Sequence, residues 1–268
     1  MRQNFFVFSP EEFYAILRKS LIGFYEVMDM KKAALVILCG ALTLAAAAVC
    51  YISGQELCAA KSAFAKAPEQ VRVIIDAGHG GEDGGASSKD GILESRLNLE
   101  IATTLRELLH FAGIRTAMVR TEDVSVWTEG ESIQQKKVSD LKNRVKLVNE
   151  TPGALLVSIH QNFFPEAKYH GAQVFYAATP GSDVLAEKIQ RALRQVADPE
   201  NKRQCKKAES VYLMQKASCT AVLVECGFLS NAQEAQRLTE AAYQQRLAAA
   251  VCGAVCEFLE TEGDTDEI

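Results

Sequence analysis

The sequence predicts a single α/β domain: a twisted, mostly parallel sheet with helices on both faces, preceded by one N-terminal apolar helix. Three observations carry this reading. From residue 71 onward, short β-branched apolar runs of strand length alternate with amphipathic runs of helix length, and the alternation persists almost to the C-terminus. A length of 268 residues with 48% hydrophobic and 24% charged residues suits one or two globular domains and excludes a disordered chain. Seventeen Gly and six Pro exclude collagen and long flexible linkers, and no block recurs at a solenoid period. The formal net charge of −5 lacks the basic excess that neutralising phosphates needs, so no nucleic acid partner is expected.

Each element follows from its local pattern. VRVIID at 71–76 is apolar, β-branched and soon ended by Gly, a buried strand. In ESRLNLEIATTLRELLHFAG, Leu97, Ile101, Leu105 and Leu108 recur on one helical face, and Gly113 stands where a C-terminal cap belongs. IRTAMV at 114–119 is a second strand. A polar loop holding Trp127, the only Trp, leads to a helix over 140–149. ALLVSIH at 154–160 and GAQVFYA at 171–177 are strands, 183–197 a helix, and TAVLVE at 220–225 the last strand. A final helix carries Leu247, Val251, Ala254 and Phe258 on one face.

The N-terminal segments concern targeting. The uncharged run from Ala33 to Ile52 makes about 30 Å of helix, the thickness of a bilayer core. Lys31 and Lys32 directly before it, with Arg18 and Lys19 further back, place the N-terminus in the cytoplasm and everything after residue 52 outside. The expected organisation is therefore a cytoplasmic segment 1–32, a signal anchor or signal peptide 33–52, a connector 53–70, a catalytic domain 71–260 and a charged tail 261–268. Anchor and cleaved signal both remain open, with Ala63-Phe64-Ala65 as a small-residue cleavage site and Met28 or Met30 as alternative starts. The eight cysteines include no C-x-x-C pair and read mostly as core thiols.

In parallel α/β sheets the ligand site lies beyond the carboxyl ends of the strands. His79 follows the first strand by three residues, His160 ends the third, and Glu225 ends the last. Glu94 opens the helix after His79, so the 77–93 loop returns it to the same rim. Two neutral imidazoles and a carboxylate form the ligand set of a catalytic zinc with a position left for water, and a further carboxylate can take a proton. Glycine-flanked histidines at strand ends also serve simply as donors to carbonyls, and spacing alone does not decide between the two.

The motifs carry a resemblance that does. DAGHGGEDGGA at 76–86, Glu94 at its helix start, LVSIHQN at 156–162 and VLVECGFLSN at 222–231 resemble, in order, the motif set of zinc-dependent N-acetylmuramoyl-L-alanine amidases, which cleave bacterial cell wall. The likeness spans about residues 71–260, and VRTED at 119–123 and LKNRVKLVN at 141–149 resemble the stretches between those motifs. It implies Zn2+ held by His79, Glu94 and His160, with Glu225 as the catalytic carboxylate acting first as base and then as acid. The implied substrate is peptidoglycan, glycan strand and stem peptide together. The absence of a wall-binding repeat, with VYLMQ at 211–215, is most similar to the sporulation and germination branch that trims spore cortex. Such a protein is exported, with the membrane as a further partner if the N-terminal segment is uncleaved and a protein activator left open.

Other residues have plainer readings. Asp76 either caps a turn or orients His79 as an acceptor. Gln161 and Asn162, beside His160, are expected to contact substrate amides. His110 and His170 match no motif and are structural or surface residues, and Arg144 is solvated or salt-bridged on its helix. Gly78, Gly80 and Gly81 lack the G-K-[ST] that a phosphate loop needs. Cys226 has no group to activate it as a nucleophile. Two other functions share these features: a zinc peptidase acting on stem peptides, and a catalytically silent wall-binding module.

Overall fold

The computed structural model describes residues 70–263. The segments 1–32 and 33–52, nearly all of the connector and most of the charged tail lie outside the described residues. Among the described residues no helix is long and apolar enough to cross a membrane. In chain order the elements are β1 (Val73–Ala77), α1 (Glu94–Phe111), β2 (Thr116–Met118), α2 (Ile133–Asn149), β3 (Leu155–Asn162), β4 (Gln173–Tyr176), α3 (Ser182–Ala192), β5 (Lys206–Lys207), α4 (Tyr212–Lys216), β6 (Ala221–Phe228), α5 (Ala232–Leu238) and α6 (Ala241–Gly263). A π-helical turn, Leu193–Ala197, extends α3.

The strands form one sheet in the order β2-β1-β3-β6-β4-β5. Every pairing is parallel except β4 against β6. The exception has a local cause: the 163–172 connection carries no helix, and a parallel return would need a crossover of a dozen or more residues. Side chains alternate between the two faces. Val73 and Ile75, with Val157, Ile159, Val222 and Val224, pack with α1, α3 and α6. Ile74, Leu156 and Leu223 pack with Val148 of α2 and with Leu213 and Met214 of α4. The central strands are thus buried on both faces, which is why they read as continuous apolar runs.

Most elements stand where the sequence puts them, and the differences are physical. Leu97, Ile101 and Leu105 of α1 are buried as expected, but Leu109 rather than Leu108 completes the stripe. Gly113 follows α1 with φ of 79°. Helix α2 begins at Ile133 rather than 140, because Ser132 and Gln135 form a reciprocal capping box ahead of a polar, exposed first half. The elements β5, α4 and α5 are too short for a periodic signal. Helix α6 runs to Gly263, past the expected domain end at 260. Among the described residues Cys205, Cys219, Cys226, Cys252 and Cys256 are all free.

Candidate metal centre

The face of the sheet beneath α2 is apolar at its base and polar at its carboxyl rim. Alternate residues run Ile74 to Asp76 on β1, Leu156 to Ser158 to His160 on β3, and Leu223 to Glu225 on β6. His160 and Glu225 are register partners. Beyond them Asn162 pairs with Phe228, so Cys226 and Gly227 together oppose Gln161 in a bulge. The irregularity sits beside the two polar side chains and turns the next residues out of register.

His79 reaches the same rim on a loop held by two buried arginines. Its φ is 61°, left-handed backbone that side-chain-bearing residues seldom adopt. Arg120 donates from Nε to the Ala77 carbonyl at 2.8 Å and from Nη2 to the Gly78 carbonyl at 3.0 Å. Arg144 of α2 donates from Nη1 to the Ala77 carbonyl at 3.0 Å and from Nη2 to the His79 carbonyl at 2.8 Å. Gly78 lies against the imidazole of His160, where a Cβ would stand 2.2 Å from Cε1 and Nε2. Only glycine admits that approach.

Glu94 is the first residue of α1, where the free amides and the helix dipole favour a carboxylate. Its Oε2 accepts from the Ala86 amide at 2.8 Å, and its Oε1 accepts from the Gln161 amide at 3.1 Å. Oε1 also faces Nδ1 of His160 at 2.9 Å and Nε2 of His79 at 3.3 Å. Burial works to raise the Glu94 carboxyl, but its hydrogen bonds to His160 and His79 outweigh it and hold the group below the usual carboxylate range. Burial likewise pulls the His79 imidazole down, yet hydrogen bonds to Asp83 and Glu94 lift it to about 9.

His79, Glu94 and His160 each offer one donor atom, and the three atoms lie within 4.8 Å of one another. The imidazole rings stand edge to face, 5.1 Å between centroids. Glu225 completes the rim. Burial pushes its carboxyl up to about 7, and its Oε2 is buried with no hydrogen-bond partner. Two imidazole nitrogens converging on one carboxylate oxygen, with an unpartnered carboxylate beside them, suit a divalent cation of zinc chemistry.

The remaining expectations divide. Asp76 does not touch His79: it is buried against Arg144 and accepts from the Ser158 hydroxyl at 2.6 Å. Burial acts to raise its carboxyl, but the Arg144 guanidinium, His160 and Ser158 hold it below the ordinary value. The acceptor on His79 is instead Asp83, whose Oδ2 lies 2.9 Å from Nδ1. Gln161 is also corrected: at 3% exposure it points inward and donates from Nε2 to Asn98 at 3.1 Å, because alternation along β3 turns it to the face opposite His160. Asn162 is half-buried at the end of β3. His110 meets Thr116 at 2.8 Å, and His170 is exposed. Arg144 is salt-bridged and buried, not solvated. Sequence reasoning missed Asp83, Arg120 and Asn98; for Asp83 the signal was a carboxylate four residues after the histidine.

Comparison with known proteins fits this geometry. A family model described as N-acetylmuramoyl-L-alanine amidase matches residues 73–257. The chain belongs to that family, and it is an amidase acting on peptidoglycan. It is 35% identical over 197 residues to the germination-specific N-acetylmuramoyl-L-alanine amidase of Bacillus subtilis (strain 168), covering 73% of this chain and 82% of that protein. It is similar in structure to the CwlD amidase of Clostridioides difficile, solved in complex with the GerS lipoprotein: TM-score 0.69 and 37% identity, over 72% of this chain and 100% of that one. An N-acetylmuramoyl-L-alanine amidase from Clostridium difficile 630 superposes with TM-score 0.62 at 30% identity, over 71% of this chain and 97% of that one.

Proposed function

We propose that this amidase is zinc-dependent, with His79, Glu94 and His160 as the protein ligands and Glu225 as the catalytic carboxylate. The observation that carries the reading is the convergence of three donor atoms within 4.8 Å beside the register partner of His160. The bond cleaved joins the lactyl group of N-acetylmuramic acid to L-alanine. When bound, zinc supplies a Lewis acid for the amide carbonyl and lowers the pKa of water from 15.7 to about 7. Glu225 takes the proton from the attacking water and delivers it to the departing nitrogen, so that the stem peptide leaves as a neutral amine. Its unpartnered Oε2 is available for that proton. Asn162, half-buried beside His160, contacts the substrate amide.

The likeness to a germination-specific amidase supports a role in spore cortex maturation. Since peptidoglycan lies outside the membrane, the domain is exported, with residues 33–52 as its anchor or signal. The relative solved with a lipoprotein supports a protein partner for this chain as well. The test is digestion of purified peptidoglycan by the full chain with and without a chelator. New L-alanine amino termini, lost with chelation and restored by zinc, are expected. Release that persists without metal would overturn the zinc reading.

A further inference from the structure

We propose that Asp83, braced by Lys137, is a positioning residue that keeps the proton of His79 on Nδ1 and leaves Nε2 free to hold the metal ion. The inference rests on the metal reading above and adds to it the residues that aim the ligand. Asp83 presents one oxygen to each neighbour. Oδ2 lies 2.9 Å from Nδ1 of His79, and Oδ1 lies 2.9 Å from Nζ of Lys137. The other ring nitrogen, Nε2, faces Glu94 Oε1 at 3.3 Å, the side on which the donor atoms converge. An imidazole with a carboxylate on Nδ1 is fixed both in tautomer and in ring direction, and it is a stronger ligand through Nε2.

The backbone brings the aspartate to that nitrogen. The Gly80 amide donates to the Asp83 carbonyl at 2.8 Å, and the Asp83 amide donates back to the Gly80 carbonyl at 3.2 Å. This two-way bridge closes the loop directly after His79 and brings the carboxylate back over the ring. Without it the ring is directed from the Nε2 side alone, because its side chain is 27% exposed and glycines flank it on both sides. Helix α2 then grips the loop twice from one face. Lys137 and Arg144 stand seven residues apart, two helical turns, and one holds the Asp83 carboxylate while the other holds the His79 carbonyl. The Lys137–Asp83 pair is partly exposed and contributes little to stability. Its effect is to restrict where the carboxylate points.

The experiment measures zinc affinity of the full chain by competition with a chromophoric chelator. It is paired with 15N and 1H NMR of the His79 imidazole in the zinc-loaded protein. Asp83→Asn is expected to weaken zinc binding about 10- to 100-fold. The hydrogen-bonded Nδ1 proton of His79 should lose its downfield shift, while the unfolding midpoint stays near that of the parent. Lys137→Met is expected to weaken binding less, about two- to fivefold, and to move the same resonance in the same direction. This surface variant decides the matter if Asp83→Asn fails to fold. His160→Ala serves as the control that loses zinc in either case. If the parent binds one zinc and His160→Ala loses it, but both Asp83→Asn and Lys137→Met bind within twofold of the parent with the Nδ1 resonance unmoved, the positioning role is overturned and the metal centre stands. A parent that binds no zinc overturns both.

Discussion

Arg144 grips His79 by its backbone: Nη2 donates to the His79 carbonyl oxygen at 2.8 Å, across 65 residues of sequence. The same guanidinium pairs with the buried Asp76 carboxylate and with Asp140. One side chain therefore joins α2, the end of β1 and the loop that carries His79. The left-handed backbone of His79 costs about 1–2 kcal/mol for a residue with a Cβ. The hydrogen bonds to its own and the preceding carbonyls offset that cost.

Arg144→Lys should consequently behave as a severe substitution despite its conserved charge. An ammonium lacks the guanidinium fork and cannot reach Asp76, Ala77 and His79 together, so it leaves at least one of these buried acceptors unmet. The expected loss is about 1–3 kcal/mol in urea unfolding, accompanied by weaker zinc binding. A variant whose unfolding midpoint matches the parent would show that the guanidinium grip is dispensable.

Asp76 gives a pH dependence whose sign follows from its environment. Its carboxyl is held below its ordinary value of about 3.9 in the folded chain. The folded state therefore binds the proton less readily than the unfolded one. The resulting stability is fully present above about pH 4 and is lost as pH falls through the folded pKa. Asp76→Asn should be destabilised at pH 7, and the gap between it and the parent should narrow progressively below about pH 4. A gap that stays constant down to pH 2 would mean that Asp76 does not titrate as described.

The four rim residues were legible because the carboxyl ends of apolar strands can be read directly from sequence. His160 and Glu225 end such runs, and Glu94 begins a periodic helix. What surrounds them was not legible. Asp76 lies three residues before His79 and Asp83 four after, so spacing favours neither as the partner of Nδ1. The choice is made by a left-handed φ and the Gly80–Asp83 bridge, which leave no periodic trace. Gln161 and Asn162 read alike as neighbours of His160, but alternation along β3 sends Gln161 inward to Asn98 and leaves Asn162 half-buried at the strand end. The start of α2 escaped because its first half is solvated and only the capping box marks it. The antiparallel β4 escaped because strand direction depends on what the connection contains.

Gly78→Ala tests the close approach beneath His160. The added Cβ would stand 2.2 Å from the ring atoms Cε1 and Nε2, so the imidazole must shift from its place beside Glu94. The buried strands are untouched, and the far-UV circular dichroism should stay that of the parent. A displacement of about 1 Å in a catalytic group commonly costs on the order of 10²-fold in rate, and a fall of that size in release of L-alanine termini is expected. Activity within twofold of the parent would mean that the ring position does not matter to catalysis.

Glu225→Gln separates proton transfer from metal binding. Glu225 is the register partner of His160 but is not among the three residues whose donor atoms converge. Its Oε2 is buried with no hydrogen-bond partner, so the carboxylate holds a lone pair in reserve that no structural contact uses. Glutamine has nearly the same shape and leaves His79, Glu94 and His160 in place, so zinc content should remain one per chain. It cannot accept a proton from water or return one to the leaving nitrogen. General acid–base assistance is worth about 10² to 10⁴ in rate, and turnover should fall by that factor with substrate affinity retained. Metal analysis and the rate of L-alanine terminus release on the same preparation decide it. If zinc is lost together with activity, Glu225 is a ligand and the proton acceptor is to be sought elsewhere, with Glu94 the first candidate to exchange roles.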